Sequence, residues 1–134
     1  MGMDFGEEFG SDQAASEEGV WISLGGDASI KVARLGNPVA ARAYLKIPRA
    51  LRVQMESTVL ANKQSDDFLA KFMGEHILKG WKGMSDSGKD LSFTEAAGIK
   101  MLKKHRRFRN RIWNFADDED NFNIELTEKD SKNS

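Results

Sequence analysis

Between Gly19 and Leu35 the apolar positions recur with a period of two. Val20, Ile22 and Leu24 alternate with Trp21 and Ser23, and Ile30 and Val32 alternate with Lys31 and Ala33. Gly25-Gly26-Asp27-Ala28 lies between the two runs, where glycine admits the positive φ angles of a tight connection, so a β-hairpin is predicted. A lone hairpin is marginal in water, and its apolar face must rest on helices. The period then lengthens. Asn37 can cap free amides and Pro38 suits a first helical position, which starts a helix over Val39 to about Ile47. Pro48 interrupts it before helix resumes from Arg49 to Leu60. Ser65, Asp66 and Asp67 open a further helix with the apolar stripe Leu69, Phe72, Met73, His76 and Ile77, and Gly80 is its expected stop.

Turn formers dominate from Trp81 to Phe93, which predicts a loop anchored by Trp81, Leu91 and Phe93. Thr94 caps the last helix. Met101, His105, Phe108, Ile112 and Phe115 then recur at intervals of four, three, four and three, the mark of one continuous helical face. The fold class expected is α+β: a mostly helical single domain with an N-terminal β-hairpin and disordered polar termini. The core is expected to gather Phe68, Phe72, Ile77, Phe108, Ile112 and Phe115.

Composition narrows the setting. With 134 residues, 40% of them hydrophobic and 31% charged, the chain has material for one modest core. It has no cysteine, which removes disulfides, thiolate nucleophiles and cysteine-ligated zinc together. No apolar run approaches the roughly 20 residues that cross a bilayer, and the acidic start does not suit a signal peptide. A cytoplasmic protein is expected.

The net charge of −1 conceals blocks of charge. Residues 1–18 hold Asp4, Glu7, Glu8, Asp12, Glu17 and Glu18 and no base. With little to bury, they are expected to form a mobile arm, dispensable for folding, and residues 123–134 a polar tail, leaving 19–122 as the domain. Lys100, Lys103, Lys104, Arg106, Arg107, Arg109 and Arg111 share a stretch without an acid, and Asp117, Asp118, Glu119 and Asp120 follow at once. On one continuous helix these bases encircle the apolar stripe and form no single recognition face, which speaks against nucleic acid as a partner.

Catalytic and metal chemistry find little support. His76 and His105 both fall on apolar stripes, and position 80 is glycine where a zinc-binding helix would place a second histidine after His76. Gly25-Gly26 precedes a strand and not a helix, so no phosphate cradle is expected there. The chain is expected not to be an enzyme and to carry no cofactor. Trp113 lies off the Met101-to-Phe115 stripe, which frees it for a neighbouring subunit or client; Trp81 and the acids Asp117, Asp118, Glu119 and Asp120 complete the candidate partner contacts.

Four segments together resemble the tail assembly chaperones of long-tailed, siphovirus-type bacteriophages. They are Gly19-Val20-Trp21-Ile22 with Ile30 to Pro38, Glu75 to Gly83, Ser92-Phe93-Thr94-Glu95-Ala96-Ala97, and Asp117 to Phe122. The resemblance spans about 19–122. It implies a non-catalytic protein of the host cytoplasm, missing from the mature virion, that coats the tape measure protein, keeps it soluble and recruits major tail tube subunits, with homo-oligomers adding avidity. The acidic arm and the strongly basic last helix depart from the family pattern. Two other readings stand beside it, a structural head-tail or tail completion subunit and a nucleic-acid-binding regulator that uses the basic helix.

Overall fold

The computed structural model describes residues 2–10, 12–56 and 63–122. The elements run α1 (Phe5–Phe9), α2 (Gln13–Glu18), β1 (Val20–Gly25), β2 (Ala28–Val32), α3 (Pro38–Leu45), α4 (Arg49–Glu56) and α5 (Lys63–His76). β3 (Leu78–Lys82), β4 (Ser85–Asp86), β5 (Lys89–Asp90), α6 (Glu95–Lys104), α7 (Arg106–Asp117) and a 3-10 turn (Glu119–Phe122) follow. It is the α+β arrangement expected, with the β1–β2 hairpin at its N-terminal side. Gly25 and Gly26, at φ 110° and 57°, make the turn, and the register pairs Val20 with Val32 and Ile22 with Ile30.

The hairpin is not alone. β3 adds to β2 in antiparallel register, so the sheet order is β1-β2-β3. This strand corrects the expectation that the α5 helix runs to Gly80: the helix ends at His76, and the Ile77 carbonyl accepts the Ala33 amide at 2.8 Å. Leu78 and Trp81 stand three positions apart yet both enter the core, because the β2–β3 register shifts between Lys31 and Val32 and the bulge turns the strand between them. On the outer face Trp21 is 38% exposed, with the Lys82 ammonium 4.2 Å from its ring centroid. The loop expected from Trp81 to Phe93 contains the small β4–β5 hairpin and is held as foreseen: the Trp81 indole donates to the Leu91 carbonyl at 2.7 Å and meets the Phe93 ring edge-on at 5.0 Å.

Asn37 caps α3 by accepting from the Ala40 amide, with Pro38 at the first helical position, and Thr94 caps α6 through the Ala97 amide. α5 and α6 pack closely: a Cβ on Gly74 would stand 2.3 Å from Ile99 Cγ1 and 3.2 Å from the Ile99 backbone. The core has Ile30, Val32, Met73, Ile77, Leu78, Leu102 and Ile112 at its centre. Of the six expected core residues, Phe72, Ile77 and Ile112 are buried and Phe108 and Phe115 pack half-buried against them. Phe68 is a correction, 41% exposed: it lies five positions before the fully buried Met73, about 140° away around α5, and so turns outward.

The last helix is also two. His105 adopts an extended conformation, φ −118° and ψ 93°, its amide closing α6 on the Met101 carbonyl and its carbonyl opening α7 to the Arg109 amide. The break lets α6 lie along α5 and β3 while α7 runs against β2 and the 3-10 turn. His105 thereby leaves the stripe and is exposed, whereas Leu102 and Arg109 become buried.

The base of the acidic arm is tied to the rest of the chain. Asp12 caps α2, its amide donates to the Phe122 carbonyl at 2.9 Å, and the Ser16 carbonyl accepts from Arg34 at 2.8 Å, with Ser16 only 2% exposed. Backbone hydrogen bonds to the closing turn and to Arg34 thus offset the ordering cost that composition alone left uncompensated. Phe5 and Phe9 remain exposed. The tail expected at 123–134 lies outside the described residues.

Candidate protein-binding surfaces

The residues anticipated as partner contacts separate into two places. Trp81 is 6% exposed, hydrogen-bonded to Leu91 and packed against Phe93, so it anchors the β4–β5 loop. Trp113 and the acidic run come together. The α7 helix ends at Asp117, and Asp118 accepts from the Asp120 amide. Glu119 reaches Arg34 at 3.6 Å, while the neighbouring Leu35 donates its amide to Ala116 at 2.9 Å. Four carboxylates beside a helix C-terminus sit against the negative end of its dipole, so they gain from a cationic partner. Arg34 supplies one such charge.

Half-buried Trp113 lines an apolar groove of about 300 Å³ with Leu35, Ala41, Tyr44 and Leu45. The Tyr44 hydroxyl donates to Glu56, which ties α3 to α4; burial first and this bond second raise its pKa well above the ordinary value. Leu45 on its lining is 67% exposed, and elsewhere on α3 and α4 Val39 and Val53 are each 48% exposed. These three were not foreseen as a surface. In the sequence they read as ordinary helix positions, and the only signal was that α3 and α4 carry more apolar residues than one face can bury.

A second cleft, of about 540 Å³, opens where the β4–β5 hairpin meets the α6–α7 junction. Trp81, Met84, Met101 and Phe108 form its floor, and His105, Arg107, Arg111 and Asp86 its rim. Asp86 accepts from Lys104 Nζ at 2.8 Å and stands 3.6 Å from His105 Nε2. The hydrogen bond from Lys104 is the largest influence on this carboxyl and, against desolvation, holds it below the usual carboxylate range with a smaller pull from His105. A depressed folded-state pKa contributes stability above the unfolded value and loses it as pH falls through the folded one. Acidification below the ordinary carboxylate range is therefore expected to release the β4–β5 hairpin from α6. An NMR titration should give Asp86 a lower midpoint in the native chain than in Lys104→Met; equal midpoints would disprove the coupling.

The break at His105 changes the picture of the basic segment. Lys100, Lys103, Lys104 and Arg106 share a groove with Lys63, Asp66 and Asp67, so these bases converge on one side and do not encircle a single helix. His76 packs its ring 5.5 Å from Phe72 and stands 3.7 Å from Glu75. Among the described residues, no cluster of three or more His, Asp or Glu is placed to hold a metal, and no helix is long and apolar enough to cross a membrane.

No curated protein and no solved structure matches the chain. A family model described as YdaY prophage protein matches residues 35–133, from the loop before α3 through the end of α7 and beyond, well over half the chain. The chain belongs to the YdaY prophage protein family.

Proposed function

We propose that this prophage protein is a non-enzymatic tail assembly chaperone that binds the tape measure protein, keeps it soluble and helps to recruit major tail tube subunits. The observation that carries the reading is the apolar groove lined by Trp113, Leu35, Ala41, Tyr44 and Leu45, where Leu45 stands 67% exposed. An apolar patch rimmed by charge is the kind of surface that accepts the apolar face of an amphipathic helix. Prophage origin and the four-segment resemblance over 19–122 give the client its class. Leu35 of the groove donates its amide to Ala116 and the adjacent Arg34 reaches Glu119, so the acidic run follows on from the groove and suits a client helix whose flanks are basic.

Co-expression with the tape measure protein of the same prophage tests the assignment. The soluble fraction of the client should rise in the presence of the chain, and the two should co-purify. Leu45→Lys, at an exposed position on the groove, should lose the complex while keeping the native melting temperature. A client equally insoluble with and without the chain, and no complex with tape measure or tail tube protein, would require the assignment to be abandoned.

A further inference from the structure

We propose that the cleft at the α6–α7 junction is a docking site for the acidic, aromatic N-terminal segment of a second copy of this chain. The segment is the first half of the argument. Phe5 and Phe9 lie one turn apart on α1 with their rings 6.2 Å from each other, and they are 84% and 72% exposed. Asp4 caps this short helix and Glu7 lies on it, and residues 1–18 contain no base. Two uncovered aromatic rings among carboxylates make an apolar plug with a negative collar.

The cleft has the complementary form. Its floor of Met84, Met101 and Phe108 is apolar, and its rim carries Arg107 and Arg111, also one turn apart, with His105 beside them. Asp86 on the same rim is already engaged by Lys104, so it opposes an incoming carboxylate less than its sequence position suggests. Phe5 and Phe9, like Arg107 and Arg111, stand four residues apart, a rise of about 6 Å, so plug and rim are of similar length. Aromatic anchors in a pocket with charge-matched edges are the usual shape of a specific protein contact.

The segment does not fill its own chain's cleft. Its root is fixed at the other end of α7, where Asp12 donates to Phe122 and Leu35 donates to Ala116, while the cleft takes Arg107, Phe108 and Arg111 from the first half of that helix. A contact between different surfaces of two copies is heterologous, so each copy that receives a segment still offers its own, and the association extends with concentration. This inference stands apart from the tail-assembly reading, since it involves no client.

Sedimentation velocity of the full chain over a range of concentrations, at low and moderate salt, provides the test. The native chain should associate beyond monomer, more weakly as salt rises. Phe5→Ser with Phe9→Ser, Arg107→Glu with Arg111→Glu, and Asp4→Lys with Glu7→Lys should each weaken association at least about tenfold, the order of one aromatic anchor or one buried charge pair. All six side chains are exposed, and thermal melts would show that the variants fold. Mixing the two charge-reversed variants should restore association, because each then carries the segment that fits the other's cleft. A native chain that stays monomeric at every concentration, or association indifferent to the phenylalanine changes, or a failure of mixing to restore it, would overturn the proposal.

Discussion

Replacing Phe72 by alanine should lower the free energy of unfolding by about 3–5 kcal/mol, a large share of what a domain of this size possesses. The ring is 5% exposed and contacts Tyr44 at 5.3 Å and His76 at 5.5 Å, so its removal opens a cavity between α3 and α5 that neither neighbour can fill. Phe68→Ala, in the same helix at a 41% exposed site, should cost less than about 1 kcal/mol. Urea denaturation followed by circular dichroism distinguishes the two. Similar losses for both would mean that α5 packs through a different face from the one described.

Asp66→Ala should be nearly as damaging. Arg109 has a side chain 3% exposed, yet it is a cation; its guanidinium donates to Asp66 Oδ1 and to the Leu102 carbonyl, each at 3.2 Å, and its Nε finds no partner among the described residues. Removing the aspartate leaves a buried charge without a counterion, a loss of about 3 kcal/mol, at the low end of the range because Asp66 itself is 32% exposed. Arg109→Met in the same chain should recover most of that loss, since methionine fills the space without needing a partner charge. A double-mutant cycle in urea reads the coupling. Strict additivity, or a neutral Asp66→Ala, would refute the view that this pair holds α5 to the α6–α7 junction.

Where local chemistry and tertiary packing agreed, the elements were legible in the residues. The hairpin followed from strict alternation around Gly25-Gly26, and the starts of α3 and α6 from Asn37-Pro38 and Thr94. β3 was hidden for a specific reason: its bulge puts Leu78 and Trp81 on one face at a separation of three, so the segment lacks the alternation that marks a strand. His105 was hidden for the opposite reason. Nothing at that position breaks a helix locally, and the stripe from Met101 to Phe115 is continuous on paper; the need to follow both α5 and β2 divides it. The same division separated the candidate sites. Trp113 stood out by its place off the stripe and the acids of 117–120 as a block of charge, but the gathering of Lys100, Lys103 and Arg106 around one groove required the bend. Backbone bonds from Asp12 and Ser16 leave no compositional trace, so the base of the arm was not foreseen.

The β2–β3 pairing also dictates an order of events during synthesis. β1 and β2 are adjacent in the chain and can pair within microseconds of leaving the ribosome, but Ile30 must wait for Trp81, roughly fifty residues later. Until then Ile30 and Val32, at most 1% exposed in the finished protein, face water on one side of a two-stranded ribbon with an open edge. At about 5–20 residues per second the wait lasts several seconds, long compared with the hairpin's own lifetime. The nascent chain therefore passes through an interval in which its own N-terminal third is the segment most in need of shielding, and that interval ends only when β3 is made.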